Sequence, residues 1–255
     1  MSDPKLPLIV LLGPTASGKT SLAVALAAEL QAEIISADSR QIYRGLDIGT
    51  GKDLNEYKNN GYDVPYHLID SHEIGAEYSV AHFQFEAYQK IIEIEGREKP
   101  IIICGGTGLY LESILKDYTF SYLPPFLEKS IELNREFIVF GLEPPYNERR
   151  ERCEKRLLSR VEDGLIEEAE GLLKKGVTFD QLRWLGLEYK WLADFLEEKI
   201  NLEEFINGLT IAIQQYAKRQ MTFFRKMEKN GIVIHWIPYS LSQFERIDWM
   251  KNKFF

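Results

Sequence analysis

Leu8-Ile-Val-Leu-Leu-Gly-Pro-Thr-Ala-Ser-Gly-Lys-Thr20 runs five apolar residues straight into Gly13-x4-Gly18-Lys19-Thr20. An uninterrupted apolar run of this length, stopped by a glycine, reads as a strand buried on both faces. Glycines let successive backbone N–H groups turn inward around phosphate oxygens with no Cβ in the way. Lys19 adds a point charge, and the Thr20 hydroxyl is placed to ligate Mg²⁺. The next stretch, Ser21-Leu-Ala-Val-Ala-Leu-Ala-Ala-Glu-Leu30, is rich in strong helix formers, so its positive dipole end faces the same anion. Strand, loop and helix agree on a P-loop. Gly13, Pro14, Thr15, Ala16, Ser17, Gly18, Lys19 and Thr20 are the expected diphosphate- or nucleotide-binding segment, with Thr20 the metal ligand and Mg²⁺ the cofactor.

After this helix, Ala32-Glu-Ile-Ile-Ser-Ala-Asp38 is a short apolar run ending in an acid, a second strand with Asp38 at its carboxyl edge. That edge is where ligands bind in open α/β sheets. Residues 44–64 have no clean period and read as a loop, and 67–70 as a short strand. Tyr78 to Glu93 carries apolar residues at helical spacing. Lys99-Pro-Ile-Ile-Ile-Cys104 is a buried strand entering the turn Gly105-Gly-Thr-Gly108, Phe137-Ile-Val-Phe-Gly-Leu142 is another, and Ile232-Val-Ile-His-Trp-Ile237 closes the set. Alternating strands and helices predict an α/β fold with a P-loop NTPase-like parallel sheet of about five strands flanked by helices. The second half, residues 147–229, reads as helical with breaks near Gly176 and Gly186. The tail from Tyr239 is expected to pack back on the body. No proline-rich linker or repeat divides the chain, so 1–255 is read as one domain.

Composition narrows the function. The chain has 255 residues, 45% of them hydrophobic, and a net charge of −8. It lacks a signal-peptide pattern and any run of eighteen apolar residues, so a cytoplasmic protein with no membrane partner is expected. Two cysteines, Cys104 and Cys153, make no metal spacing and read as buried thiols. His67, His72 and His82 likewise fall in no trusted ligand spacing, and His235 reads as a core residue. The acidic balance argues against a protein that coats nucleic acid by charge alone, but two basic clusters stand out. One runs Arg149, Arg150, Arg152, Lys155, Arg156, Arg160 and the other Lys218, Arg219, Arg225, Lys226, Lys229.

P-loop motors and switches need a strand ending in an acid to hold the Mg²⁺ water shell. The strand at 101–104 ends in glycines instead, which disfavours that class. The acid on offer is Asp38, at the end of the strand that follows the P-loop in sequence order, where it can act as a base or simply hold a turn.

Asp38-Ser-Arg-Gln-Ile-Tyr-Arg-Gly-Leu-Asp-Ile-Gly-Thr-Gly-Lys52, placed after the P-loop, resembles the tRNA dimethylallyltransferase (tRNA isopentenyltransferase) family. Tyr66-His-Leu-Ile-Asp70, Tyr78-Ser-Val-Ala-His-Phe83, Gly105-Gly-Thr-Gly-Leu-Tyr110 and Tyr216-Ala-Lys-Arg-Gln-Met-Thr-Phe-Phe-Arg225 match further family blocks in order. The resemblance implies transfer of a dimethylallyl group from dimethylallyl diphosphate to N6 of the adenosine 3′ of the anticodon in tRNA, with release of diphosphate. It implies that Asp38 is the general base, that Arg219 contacts the diphosphate, and that Thr107 lies near the acceptor. It also implies that Asp38, Ser39, Arg40 and Gln41 touch the acceptor, the tRNA anticodon stem-loop.

The match has two departures. Typical members insert a helical subdomain after the Gly105–Tyr110 block that helps clasp the stem-loop, and here 110–136 leaves room for only a reduced insert. Leu185-Gly-Leu-Glu-Tyr189 stands where many members have Gly-Tyr-Lys/Arg-Glu. The helical 147–229 is then the expected acceptor-binding region. Two other functions remain open from sequence: prenylation of a free adenine nucleotide, and an ATP-dependent small-molecule kinase with arginines on a lid helix.

Overall fold

The structure, a computed structural model, describes residues 7–61, 63–120, 133 and 135–254. Residues 121–132 and 134, about half of the reduced insert expected at 110–136, lie outside the described residues.

Six strands form one sheet: β1 (Leu8–Leu12), β2 (Glu33–Ser36), β3 (Tyr66–His67), β4 (Ile101–Gly105), β5 (Phe137–Gly141) and β6 (Ile234–Trp236). Their order is β3-β2-β4-β1-β5-β6 and every pairing is parallel. The count exceeds the five expected because Tyr66 and His67 do pair, at the sheet edge, with Ile34 and Ile35. The sequence neighbours β1 and β2 are separated in space by β4, which pairs Ile9 with Ile102 on one side and Ile34 with Ile102 on the other.

Period-two alternation sorts the strands' apolar runs onto two faces. Leu8, Val10, Leu12, Ile35, Ile101 and Ile103 point to one side. There they meet α2 (Val80–Glu95), α3 (Gly108–Leu115) and the C-terminal half of α8 (Leu202–Lys229). Ile9, Leu11, Ile34, Ile102 and Phe140 point to the other, against α1 (Lys19–Leu30) and α9 (Gln243–Phe254). Each such side chain, fully buried, contributes about 1.5–3 kcal/mol, so a charge at Val10 or Ile103 would unseat a whole layer. The tail does pack back, through Ile247, Met250 and the ion pair of Lys251 with Glu29 at 2.9 Å.

A separate apolar cluster lies among α4 (Tyr146–Glu162), α5 (Leu165–Lys174), α6 (Phe179–Trp184), α7 (Leu187–Leu196) and the first half of α8. The expected break at Gly176 (φ +95) separates α5 from α6, and Gly186 precedes α7. Gly164 adds a break the sequence reading did not place, in a left-handed conformation at φ +101 that separates α4 from α5. Asn201 and Glu204 close a capping box that starts α8. No helix among the described residues is long and apolar enough to cross a membrane.

Candidate active site

The P-loop leaves β1 at its carboxyl end and enters α1 at Lys19. Ala16 and Gly18 both take left-handed backbone angles (φ +59 and +83), which curl the loop back on itself. Gly13 has no room for a side chain: a Cβ there would lie 2.8 Å from Ser17 Oγ and 3.0 Å from the Leu142 carbonyl. Lys19 is enclosed, and burial pulls its pKa below the ordinary lysine value, partly opposed by Cys104 and Asp38. Burial in turn pushes the Cys104 thiol up to about 12. Both cysteines are buried and free.

Thr15, Lys19 and Thr20 line a cavity of about 420 Å³ at the carboxyl ends of the strands. Asp38, Ser39, Arg40, Gln41 and Arg219 line the same cavity. Asp38 lies two residues beyond β2, and its Oδ1 accepts a hydrogen bond from the Arg40 N–H at 2.9 Å. The turn is therefore held by one carboxylate oxygen, while Oδ2 carries no hydrogen bond among the described residues. Ser39 donates its N–H to Thr107 Oγ1 at 3.0 Å. Thr107 does not line the cavity; it fixes the turn that presents Asp38. Gln41 is similarly engaged, donating to the Gly51 carbonyl at 3.0 Å and accepting from Ser36 Oγ at 3.1 Å. Arg219 sits over the Tyr216 ring, 6.0 Å from its centroid, and has no acidic partner among the described residues.

Several contributors were not singled out by sequence. Gln220 is buried and bridges two loops: its Oε1 accepts from the Thr15 N–H at 2.8 Å and its Nε2 donates to the Gly106 carbonyl at 2.9 Å. It adjoins Arg219 in the same block, which was the available signal. Glu168 is a second fastener. Its carboxylate accepts from the N–H groups of Asp47 and Ile48 at 2.8 Å, of Gly49 at 3.0 Å, and from the Tyr189 hydroxyl at 2.6 Å. Gly49 must be glycine there, because a Cβ would lie 2.5 Å from Tyr189 Cζ. Buried Lys52 donates to Asp47 at 2.6 Å, to the Tyr43 carbonyl at 2.8 Å, and to Asp70. The apparent loop after Asp38 is thus a fixed wall.

At the cavity rim, Trp184 is 82% exposed and its carbonyl accepts from Arg40 Nη1 at 3.1 Å. Neighbouring Arg183 is occupied by Asp180, Asp194 and Glu197. Lys190, also at the rim, has no ion pair among the described residues. The histidines are tied into the framework: His67 to Glu33 at 2.7 Å, His72 to Glu86 at 3.3 Å, and His82 in the cap of α2 with Ser79.

A parallel sheet with a P-loop at the end of β1, an acid on the turn after β2 and glycines in place of an acid after β4 defines a P-loop enzyme that grips a phosphate-bearing substrate. Comparison with known proteins sharpens this. The IPP transferase family matches residues 41–134 and 126–227. The chain is 41% identical to tRNA dimethylallyltransferase 2 of Bacteroides fragilis (strain YCH46), over 99% of both sequences. It is 43% identical to tRNA dimethylallyltransferase 2 of Treponema denticola, over 90% of this chain and 95% of the relative. The full-length tRNA isopentenylpyrophosphate transferase of Bacillus halodurans superposes with a TM-score of 0.82 at 29% identity, covering 98% of this chain and 97% of that one. The chain belongs to the IPP transferase family.

Proposed function

We infer that this chain is a tRNA dimethylallyltransferase, moving a dimethylallyl group from dimethylallyl diphosphate to N6 of the adenosine 3′ of the anticodon and releasing diphosphate. The observation that carries the reading is that Asp38, Lys19, Thr20 and Arg219 line one cavity. Full-length likeness to tRNA dimethylallyltransferases removes the kinase alternative.

The P-loop amides, Lys19 and Arg219 hold the diphosphate and stabilise the charge that grows on it as the carbon–oxygen bond breaks. The N6 lone pair forms the new bond to C1 of the prenyl group, and the bonding electrons leave with the diphosphate. An exocyclic adenine amine is a weak nucleophile because its lone pair is delocalised into the ring. Asp38 Oδ2, the oxygen not engaged in the turn, accepts the N6 proton at close range. Thr107 acts through Ser39 by holding that turn. The residues fit Mg²⁺: the Thr20 hydroxyl, on the cavity wall, offers a hard oxygen ligand. Bound by Thr20 and substrate oxygens, the ion would supply further neutralisation of the leaving group.

The acceptor enters across the rim, where Arg40, Lys190 and exposed Trp184 offer cations and a stacking face to an unpaired loop. Helices within 147–229 form the acceptor-binding region, in a single domain that works on tRNA in the cytoplasm. The alignment to the B. fragilis relative spans 304 positions against 255 residues here. The two family-matched segments also meet at residues 126–134. Both facts support a reduced insert at 110–136, which leaves the stem-loop to be held by the remaining helices.

The test is to incubate the purified protein with Mg²⁺ and labelled dimethylallyl diphosphate, offering unmodified tRNA and AMP in parallel, followed by nucleoside mass analysis. Label on tRNA adenosine is expected; label on AMP alone would replace this acceptor assignment with a free nucleotide.

A further inference from the structure

The basic run on α4 does not act as one surface. Arg152, Arg156 and Arg160 recur every four residues, so they share one helix face, and that face looks onto the P-loop. Arg152 Nη1 lies 3.9 Å from where a Cβ on Gly18 would stand. Arg156 and Arg160 line the main cavity together with Lys19 and Thr20. They also line a second opening, of about 370 Å³, together with Ala16 to Thr20 of the same loop. The two guanidinium groups therefore stand between two openings that meet at the phosphate-gripping lysine. Arg149 and Arg150 face elsewhere, into a groove that they share with Lys218 of α8.

Among the described residues, each of the two arginines has one acidic partner. Arg156 Nη2 donates to Asp53 Oδ2 at 2.7 Å, and Arg160 Nη1 lies 3.7 Å from Glu188 Oε1. Neither pair is saturated, since a guanidinium has five donors. The cations also weigh on one another: burial first, then Arg156, hold Arg160 down at about 10. A polyanion seated among them relieves that cost. Asp53 and Glu188 occupy the arginines when no phosphate is present.

We propose that Arg156 and Arg160 form a second wall of the diphosphate site, facing the P-loop across the leaving group, with Asp53 and Glu188 as the carboxylates that the diphosphate displaces and that reclaim the arginines on release. This deepens the function proposed above and rests on its reading that the P-loop takes the donor's diphosphate. It removes the inner face of α4 from the RNA-binding surface, leaving exposed Arg150 and Lys218 for that role.

Titration calorimetry with inorganic diphosphate and with dimethylallyl diphosphate, both with Mg²⁺, tests it alongside the salt dependence of tRNA binding. Arg156→Ala is expected to weaken diphosphate roughly tenfold, as for loss of a charge-assisted hydrogen bond. Arg156→Lys, which keeps the charge without the fork, falls between. Neither should alter the slope of tRNA affinity against salt. Asp53→Asn should tighten diphosphate binding, a direction that misfolding cannot produce; Asn tolerates the left-handed backbone at this position (φ +48). Unchanged diphosphate affinity in Arg156→Ala and Asp53→Asn, or a shallower salt slope for tRNA in Arg156→Ala, overturns the second wall while leaving the P-loop assignment standing. Failure of the unmutated protein to bind either diphosphate overturns both.

Discussion

Replacing Gln220 by Leu tests how far the P-loop depends on a side chain outside it. The substitution keeps the volume but strands two backbone groups: the Thr15 N–H, now bonded at 2.8 Å, and the Gly106 carbonyl, bonded at 2.9 Å. An orphaned buried group costs about 1–3 kcal/mol. Thr15 borders the cavity and can recruit water, whereas the Gly106 bond is buried, so the total should fall near 2–3 kcal/mol. At about 2–4 °C per kcal/mol for a chain of this size, melting should drop by roughly 5–10 °C. Because the lost bond tethers an amide at the mouth of the phosphate loop, part of the cost appears in the transition state. About 1.4 kcal/mol of it corresponds to a tenfold loss in kcat/KM. The assay is labelled prenyl transfer to an anticodon stem-loop, well below the melting point, with a parallel thermal melt. Gln220→Glu, which retains the acceptor for Thr15 but sets a carboxylate against the Gly106 carbonyl, should fare no better. A Gln220→Leu protein with wild-type transfer and wild-type melting would refute the reasoning.

Asp38→Asn should abolish transfer yet leave donor binding by calorimetry within a few-fold; lost donor binding would reassign the carboxylate to the metal. Arg219→Ala should weaken inorganic diphosphate as a competitor, and an effect on RNA affinity alone would contradict its placement. Lys19, its pKa lowered chiefly by burial, should lose its proton at lower pH than a free lysine, so diphosphate affinity should fall as pH rises toward that range. Proton uptake on binding there, measured in buffers of different ionisation heat, is the check. The Glu33 pKa is lowered, first by its hydrogen bond from Arg97. Its stabilisation is therefore complete above about pH 4.5, the ordinary carboxylate value, and is lost as pH falls through the depressed folded value. Glu33→Gln should flatten the acid side of the stability profile, and an unchanged profile would exclude the pair as a contributor.

Local chemistry made the P-loop, Asp38 and the apolar strands legible, because each is written in a few adjacent residues. Phosphate contacts need glycines and a lysine in fixed order, and strands buried on both faces must be apolar throughout. Asp38's double role was half-visible, since an acid at a strand end signals either a base or a turn, and here its two oxygens divide the tasks. Strand order was not legible: nothing near Ile101 says that its strand lies between β1 and β2. Nor was the partition of the α4 arginines, since charge counts carry no direction until the helix is docked. Gln220 and Glu168 escaped for a related reason. Gln220 bonds backbone groups 205 and 114 residues away, and Glu168 bonds mainly backbone groups 119–121 residues away, and backbone donors and acceptors leave no mark in a sequence. Residues 47–52 looked loose because their order comes from such long-range bonds, and the 3-10 helix at Leu54–Gly61 is a correction to the loop expected over 44–64, its Lys, Asn and Gly residues giving no apolar period to announce it.

The position of β4 sets a length scale for the reaction. Adjacent strands lie about 4.8 Å apart, so the ends of β1 and β2, with β4 between them, stand roughly 10 Å from one another. The phosphate grip grows from the first of these ends and the carboxylate from the second, so the sheet itself acts as a ruler between anion and base. The end of β4, Gly105, and the first residue of the turn after it, Gly106, lie in that interval. A Cβ on Gly105 would collide with the Ala37 backbone, and one on Gly106 would lie 2.5 Å from Gln220 Nε2. The gauge is therefore kept by backbone hydrogen bonding and by the absence of side chains, which makes it insensitive to rotamer changes around the cavity. A donor with a longer hydrocarbon tail would meet the same spacing from diphosphate to reacting carbon, and discrimination between tails must be made farther along the cavity wall.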